Sequence, residues 1–400
     1  MTDPSLGLLS RYRVLDTSSA MGALCGRLLR DLGADVIRVE PPCGDTLRRE
    51  PPFASGHSDI EGSLRFAYLN AGKRGVTLDL EQPAGRALFL KLVQRSDVLL
   101  ESGEPGRLDK LGLGYPVLAA SKPGLILVSL SGFGQSGPYT HFQAPDIVTM
   151  AMGGLLYVSG DPSYPPCMPP ETQSYYYGSL YAAYGVMLAL WQREQTGVGA
   201  HIDASVQAAM AIHEHVAFTY SVENRLLRRA GSQHQHVAPA NLFPCQDGYI
   251  SIFAAQQQWK PLLEVWQDHP KDLEDPRWEN MNERRKHADW INPLVDSFTS
   301  RFKKEELSEK LQERGIPGMA VNTTTDFLED PHIQERGFFG EVTHPELGSF
   351  RQPGAPFSVN SERPSSGPAP LLGQHNHQIY CGELGLRQQE LDVLIADGII

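Results

Sequence analysis

A short stretch just before a long predicted helix holds the residues best suited to covalent chemistry. It runs from Pro169 to Gly178 and contains one carboxylate, Glu171, followed by three consecutive tyrosines, Tyr175–Tyr177. A carboxylate can attack an activated carbonyl and carry an acyl group. A phenol is a poor nucleophile because it is almost entirely protonated at neutral pH. The stretch therefore offers Glu171 as a candidate nucleophile, whereas we expect the tyrosines to fill volume by packing.

The β-α-β opening of the chain suggests a different chemistry, the binding of a dinucleotide. A predicted strand at Tyr12–Asp16 is followed by a helix and by a second strand, Asp35–Glu40, which ends in an acidic residue. A dinucleotide site needs glycines at the first turn, so that a pyrophosphate can lie against the helix N-terminus. Only Gly22 and Gly26 are present, and both fall inside the predicted helix. We therefore interpret the opening as a structural unit and not as a nicotinamide site.

The composition is that of an ordinary globular protein, with 41% hydrophobic and 20% charged residues. A formal net charge of −12 argues against a nucleic-acid partner, which requires a basic surface. The five cysteines are scattered without a CxxC pair, so neither a disulfide framework nor a metal site is expected, and a reducing compartment fits best. No signal-peptide pattern opens the sequence, and no uncharged apolar run reaches about 18 residues. These features predict a soluble, cytoplasmic protein that does not enter a membrane.

The elements that must position the candidate residues alternate between strands and helices in the first half of the chain. A strand at Val76–Leu80 is followed by a helix at Gly85–Val93 and by strands at Asp97–Leu100 and Leu125–Leu130, before the glycine-rich turn Ser131–Pro138. Such alternation implies a mostly parallel sheet covered on both faces. We predict an α/β chain with a Rossmann-like large domain and a smaller α+β domain. The predicted boundaries are 1–222 for the large domain, 223–325 for the small domain, and 326–400 for a C-terminal return to the large domain.

Segments spread along the whole chain resemble the signatures of one enzyme family. The most specific is Ser131–Tyr139. The others are Leu32–Glu40 with Gly44, Asp45 and Arg48; Leu69–Arg74 with Thr77–Leu80; Asp97–Glu101 with Pro105, Gly106 and Leu111–Tyr115; Gln192–Ser205; Asp247–Tyr249; Gly315–Pro317; Asp330–His332; His344–Gly348; and Ala369–His375. On these segments the chain resembles the family III CoA-transferases, the CaiB/BaiF family that includes the formyl-CoA and carnitine-CoA transferases.

The resemblance implies a fold in which each chain is an open ring that interlocks with a second chain, so that the dimer is obligate. It implies transfer of CoA (EC 2.8.3 type) from an acyl-CoA to a free carboxylic acid, with coenzyme A and acyl-CoA as substrates and no covalently bound cofactor. In such enzymes one aspartate forms a mixed anhydride and then a thioester. Backbone N–H groups of a glycine-rich turn would stabilise the developing oxyanion. The small residues at 178–185, in the predicted helix Ser174–Gln195, would let the second chain approach closely.

CoA carries a 3′-phosphate and a diphosphate, which arginine and lysine bind by charge. Positions within the resembling segments suggest six candidates: Arg38, Arg48, Lys73, Arg74, Arg107 and Lys110. Lys73 and Arg74 are preferred because they lie in the LNxxKR motif, whereas Lys110 is supported only by its place after Pro105-Gly106. Any of the six could instead be a solvated surface charge. We expect Lys73→Ala to weaken CoA binding about tenfold or more, and Lys303→Ala to have little effect.

Departures from the family pattern are equally informative. Tyr175 stands at the position of the family's aspartate nucleophile, and Glu171 lies four residues too early in an ungapped comparison. Pro41 and the pair Ser102-Gly103 replace an arginine and an Asn-Phe pair that are frequent in the family, which removes expected contacts to CoA. Pro145 stands where the related racemases have a histidine, so racemase chemistry is disfavoured because its acid–base pair is absent.

Three functions follow from this mixture of matches and departures. The first is a non-catalytic subunit of a CoA-transferase, with succinyl-CoA as the expected donor and an aspartate-bearing paralogue as the partner, as in the heteromeric succinyl-CoA:benzylsuccinate-type enzymes. The second is an active homodimeric transferase that uses Glu171. The third is a non-enzymatic acyl-CoA-binding protein. All three have small-molecule ligands and no nucleic-acid or membrane partner.

Overall fold

The computed structural model describes residues 7–54, 56, 59–213 and 216–400, which form two compact units. The first unit contains the chain up to Leu155, Pro169–Val222 and His332–Ile400. The second contains Leu156–Met168 and Glu223–Pro331. The three predicted domains, 1–222, 223–325 and 326–400, stay predictions.

A six-stranded parallel sheet forms the centre of the first unit. Its strands are β1 (Arg13–Asp16), β2 (Asp35–Glu40), β3 (Arg74–Thr77), β4 (Val98–Ser102), β5 (Ile126–Ser131) and β6 (Ala200–Ser205). Their order across the sheet is β3-β2-β1-β4-β5-β6. The predicted strand at 76–80 is shifted, because pairing with β2 ends at Thr77 and the chain then leaves the sheet. The α/β fold class, with its parallel sheet, is confirmed.

Helices cover both faces of this sheet. The helices of the first unit are α1 (Ala23–Asp31), α2 (Leu64–Leu69), α3 (Pro83–Gln94), α4 (Arg107–Lys110), α5 (Tyr115–Ser121), α6 (Asp146–Met152), α8 (Gln173–Thr196), α9 (Val206–His213) and α10 (Val216–Glu223, which ends at the unit boundary), with a 3₁₀ turn at Thr46–Arg49. Helix α7 (Leu155–Val158) belongs almost entirely to the second unit. Two apolar cores result, one around Leu15, Ile37 and Phe89 and the other around Val14, Val36 and Val186. Successive residues of β1 and β2 point to opposite cores, as the two-residue period of a strand requires.

The second unit contains a three-stranded antiparallel sheet and a set of short helices. The strands are β7 (Ala240–Cys245), β8 (Gly248–Phe253) and β9 (Gly318–Ala320), in the order β7-β8-β9. The helices are α11 (Trp259–Val265), α12 (Met281–Lys286), α13 (Ala288–Thr299), α14 (Lys304–Glu313) and α15 (Thr324–Glu329), with 3₁₀ turns at Gln256–Gln258, Lys271–Glu274 and Pro276–Glu279. The predicted strand pair near 242–252 and the predicted amphipathic helix near 305–314 both lie here.

The C-terminal part of the chain returns to the first unit and completes its core. It contains α16 (Pro331–Glu335), the hairpin β10 (Phe339–His344) and β11 (Gly348–Pro353), a π-helical turn at His377–Glu383 and α17 (Gln388–Ala396). The Tyr380 hydroxyl donates to the Thr77 carbonyl at 2.8 Å, and the Asp79 N–H donates to the Ile399 carbonyl at 2.8 Å. Ile399 and Ile400 are buried in the core that contains Phe89.

The small residues of α8 pack inside this chain. Gly178, Ser179, Ala182 and Ala183 are buried, and a Cβ atom on Gly178 would lie 2.9 Å from a methyl group of Val206. The prediction that these residues admit a second chain is therefore wrong. The exposed side of α8 is apolar instead, with Tyr184 61% and Trp191 66% accessible. Within the described part of the chain, no helix has the length and apolar character needed to cross a membrane.

Candidate active site

Tyr175 lies in the first turn of α8, at the wall of a cavity. Its hydroxyl donates a hydrogen bond to the Ala144 carbonyl at 3.1 Å. Burial, followed by the nearby carboxylates of Asp146 and Glu50, raises the pKa of Tyr175, and the smaller effect of Arg65 does not reverse this shift. The phenol therefore remains protonated at neutral pH.

The cavity beside Tyr175 has a volume of about 480 Å³, within the range of small-molecule sites. Its apolar wall is formed by Met21, Phe142, Ala144, Pro145 and Tyr175. Its polar side chains are Glu104, Thr140, His141 and Gln143. The glycine-rich segment predicted to supply oxyanion donors borders it through Gly132.

Two of the backbone donors in that glycine-rich segment are already used. The Gly134 N–H donates to the Ser131 hydroxyl at 2.9 Å, and the Gln135 N–H donates to the Asp203 carboxylate at 3.0 Å. Gly134 has a φ of +93°, which favours glycine. These hydrogen bonds fix the conformation of the segment. The two N–H groups are therefore not free to stabilise an oxyanion.

Glu171 does not line the cavity that Tyr175 borders. It is exposed and has a φ of +60°, a strained backbone conformation for a residue with a side chain. The next residue, Thr172, accepts a hydrogen bond from Arg65 at 3.1 Å through its hydroxyl. The sequence-predicted nucleophile and Tyr175 are therefore close along the chain, but only Tyr175 borders the cavity.

Asp146 is a buried carboxylate at the site that the sequence analysis missed. Its Oδ1 accepts hydrogen bonds from the Ser174 N–H at 2.9 Å and from the Ser174 hydroxyl at 2.6 Å. Its Oδ2 is buried and has no hydrogen-bond partner among the described residues. Asp146 therefore closes the N-terminus of α8, where backbone N–H groups lack helical acceptors. Because 28 residues separate it from Ser174, only the tertiary structure shows this contact.

Lys73 lies in a fully enclosed polar network under the sheet. Its ammonium donates to Asp16 at 2.7 Å, to the Ala23 carbonyl at 2.8 Å and to Asn70 at 2.9 Å. Burial lowers the pKa of Lys73, and the Asp16 carboxylate opposes that shift. An ammonium has three N–H donors, and all three are occupied here. The predicted role of Lys73 at a CoA phosphate stays a prediction, and it requires the network to open.

Arg38 shares the network of Lys73. Its guanidinium pairs with Asp45 at 2.8 Å and with Asp16 at 3.4 Å, and it also donates to the Ser18 carbonyl. Burial works against the charge of Arg38, but Asp45 and Asp16 outweigh it and raise its pKa. Arg38 is therefore a buried cation whose charge is balanced by the carboxylates of Asp45 and Asp16.

Arg48 and Arg74 are also paired with carboxylates. The two oxygens of Glu40 accept hydrogen bonds from Arg48 at 2.7 and 2.9 Å, and Glu61 accepts one at 2.6 Å. Arg74 binds Asp35 at 2.9 and 2.6 Å and also binds Glu383. Both arginines tie distant parts of the chain together, so their role at a phosphate likewise stays a prediction.

The remaining two predicted cations lie on the surface near the cavity. Lys110 pairs with Glu104 at 2.6 Å, and Arg107 lies 3.7 Å from Glu81. Lys110 is 66% exposed, so this pair is open to exchange with a ligand. Among the six predicted phosphate ligands, these two are the ones that an external anion can reach without disturbing the interior.

Several CoA-transferases are similar to this chain over nearly its whole length. The chain is 31% identical over 404 residues to succinyl-CoA:(R)-benzylsuccinate CoA-transferase subunit BbsE of Thauera aromatica, with 98% of each chain covered. It is 32% identical over 398 residues to succinyl-CoA–D-citramalate CoA-transferase of Chloroflexus aurantiacus, again with 98% of each covered. The crystal structure of a CaiB/BaiF family protein from Brucella suis superposes with a TM-score of 0.84 at 29% identity, covering 94% of this chain and 98% of that one.

The sequence model of CoA-transferase family III matches residues 9–376. This range includes the whole parallel sheet, the cavity beside Tyr175 and all of the sequence segments quoted above for the resemblance. The chain therefore belongs to CoA-transferase family III, whose members move CoA between acyl-CoA thioesters and carboxylic acids.

Proposed function

We propose that this chain is the non-catalytic subunit of a heteromeric CoA-transferase. The complex would move CoA from an acyl-CoA donor, with succinyl-CoA the expected one, to a carboxylic acid acceptor. A paralogous chain would supply the aspartate nucleophile. The observation that carries this proposal is Tyr175, a half-buried phenol at the position where the family has its nucleophile.

The setting of Tyr175 supports a site without covalent chemistry. The Ala144 carbonyl already accepts the hydroxyl hydrogen, and the surroundings raise the pKa of the phenol. The neighbouring carboxylate of Asp146 is buried and uses one oxygen to cap the N-terminus of α8. Neither group is placed to attack a thioester that enters the cavity.

The exposed apolar side of α8 supports the partner. Leu180, Tyr184, Leu188 and Trp191 are exposed and recur at helical spacing, so they share one face. A contiguous apolar face of this kind on a soluble protein commonly marks an interaction site. We propose that the second, ring-shaped chain covers it in the interlocked arrangement implied by the family. Sedimentation of the isolated chain as a stable 44.1 kDa monomer at micromolar concentration would contradict this.

The group transfer itself needs neither an oxidant nor a net proton. In the partner, the aspartate attacks the thioester carbonyl and the C–S bond breaks. CoA leaves as a thiolate, and a mixed anhydride of the aspartate and the donor acid remains. The thiolate then attacks the aspartyl carbonyl and releases the donor acid as a carboxylate. The acceptor carboxylate then attacks the aspartyl-CoA thioester, which releases the thiolate and forms a second mixed anhydride. The thiolate attacks the acceptor carbonyl of this anhydride, so the products are the acceptor's CoA thioester and the unmodified aspartate.

Covalent trapping tests the division of labour. The chain and a paralogue from a neighbouring gene are purified alone and together, incubated with succinyl-CoA, and treated with borohydride or hydroxylamine. We expect exchange activity only in the mixture and a trapped adduct only on the paralogue. An adduct on this chain, mapped by peptide mass spectrometry, would overturn the proposal.

The strained backbone of Glu171 favours one alternative, an active homodimer. Strained positions are often retained at functional sites, and Glu171 is exposed at the start of α8. The variant Glu171→Gln separates the two functions. We expect the activity of the complex to stay nearly unchanged. Loss of activity with normal folding and CoA binding would favour the homodimer.

A further inference from the structure

A carboxylate paired with a lysine lies at the exposed side of the cavity. Glu104 lines the cavity together with His141, and its side chain is 60% exposed. Its Oε1 lies 2.6 Å from the ammonium of Lys110. The hydrogen bond and charge of Lys110, and then the charges of His141 and Arg107, lower the pKa of Glu104. Glu104 is therefore an ionised group that pairs directly with Lys110, while His141 lines the same cavity and Arg107 lies one turn before Lys110 in α4.

The backbone around Glu104 presents this carboxylate to the cations. Gly103 and Gly106 flank the dipeptide Glu104-Pro105, with φ values of +120° and +77°, which favour glycine. The Gly103 N–H donates to the Leu130 carbonyl at 3.1 Å, which attaches the loop to β5. Lys110 is in α4, which begins immediately after Gly106. The loop and the helix therefore hold the Glu104 carboxylate close to the Lys110 ammonium.

The arrangement has the chemistry of an anion site that is already filled. Lysine and arginine near one point bind phosphate groups by charge. Here an internal carboxylate occupies that point, so an entering anion must displace it from Lys110 and remain near its negative charge. The buried cations of this unit, such as Lys73 and Arg38, offer no substitute because carboxylates inside the fold already hold them.

We propose that Glu104 acts as an internal competitor at a phosphate site formed by Lys110, Arg107 and His141, and that it weakens binding of CoA to this chain. The inference rests on the proposed function, since it explains how a non-catalytic subunit leaves acyl-CoA to its partner. Glu104 is thus a specificity-determining residue that disfavours anionic ligands at this cavity.

Removing the carboxylate charge should strengthen binding. A unit charge about 6 Å from a doubly charged phosphate in water changes the affinity about tenfold by Coulomb's law. The variant Glu104→Gln should therefore bind CoA about tenfold more tightly than the unaltered chain at low ionic strength. Salt should reduce the gain, because the site is exposed and mobile ions screen it.

Isothermal titration of the purified chain with CoA, in about 20 mM and about 500 mM salt, measures this effect. Glu279→Gln is the matched control: it makes the same change in net charge at an exposed carboxylate that pairs with Lys260 in the second unit. The double variant Glu104→Gln/Lys110→Met tests the cation. Dephospho-CoA shows whether the 3′-phosphate or the diphosphate binds at this site.

The expected result is a salt-sensitive gain for Glu104→Gln that disappears in the double variant and is absent from Glu279→Gln. No gain, an equal gain in the control, or a gain that survives loss of Lys110 would overturn the inference. Its failure leaves the proposed function intact if trapping still labels only the paralogue. An adduct on this chain would defeat the proposed function whatever the affinity of Glu104→Gln.

Discussion

The enclosed ammonium of Lys73 provides a direct test of what this residue does. In the variant Lys73→Met the side-chain volume is nearly kept, but Asp16 loses its 2.7 Å partner and remains fully buried. Asp16 then retains the Ser18 N–H at 2.9 Å and the more distant Arg38 at 3.4 Å. Breaking a buried ion pair by removing one partner costs about 3–5 kcal/mol. Because Arg38 still offsets part of the charge, we expect a loss near the lower end, about 3 kcal/mol.

Hydrogen exchange followed by mass spectrometry, over a urea series, measures the free energy of unfolding through peptides from β1 to β3. Lys303→Ala is the control, since Lys303 is exposed at the start of α14 and should change this free energy by less than about 0.5 kcal/mol. The double variant Asp16→Asn/Lys73→Met should recover at least half of the loss, because no buried charge is left unpaired.

One outcome would refute this reasoning and restore the interpretation made from the LNxxKR motif. If Lys73→Met loses less than about 1 kcal/mol of stability while CoA binding falls at least tenfold, then Lys73 contacts a phosphate and the network opens to release it. If the free energy of unfolding and the affinity for CoA fall together, the loss of affinity follows from destabilisation of the sheet.

Two further expectations concern the site and the second unit. Tyr175→Phe removes the bond to the Ala144 carbonyl but keeps the ring, so we expect a stability loss of about 1 kcal/mol and CoA exchange by the complex within about twofold; a tenfold loss of exchange would assign the hydroxyl a catalytic role. In the second unit, the hydrogen bond from Lys304 lowers the pKa of Asp326 from 3.8 to about 2. The unfolded chain therefore takes up this proton first, and the stabilisation present above about pH 4 is lost as the pH falls toward 2. Between pH 5 and 2, the midpoint temperature of thermal unfolding should fall less in Asp326→Asn than in the unaltered chain. An equal fall in both would exclude the Lys304–Asp326 pair as a cause of the acid destabilisation.

Local sequence pattern predicted much of the first unit. The strand Asp35–Glu40 has the predicted bounds, and the helix predicted at 174–195 is present at Gln173–Thr196. Hydrophobic runs and glycine stops carry this information because they act over one or two turns. That Tyr175 stands in place of the family's nucleophile stays a prediction, which depends only on comparison with a short motif.

Long-range pairing decided what could not be predicted. Lys73, Arg38 and Asp16 belong to three different strands or their flanks, and only the sheet order β3-β2-β1 brings them together. A motif shows that a lysine is required but not whether its partner is a phosphate or a buried carboxylate. The contact between Asp146 and Ser174, which are 28 residues apart, is hidden for the same reason.

The return of the C-terminal segment constrains the order of events during synthesis. The Thr77 N–H of the edge strand β3 donates to Asn376, and the Asp79 N–H of the following turn donates to Ile399. Neither bond can form until residues 376–399 have been synthesised. Most of the second unit, at 223–331, has been translated well before then. This unit can therefore fold while the parallel sheet still lacks its contacts with the C-terminal segment. Contacts this far apart in sequence also slow folding. A nascent chain that stalls before residue 376 would expose the β3 edge, and chaperone binding or proteolysis would then act chiefly on the parallel-sheet half of the protein.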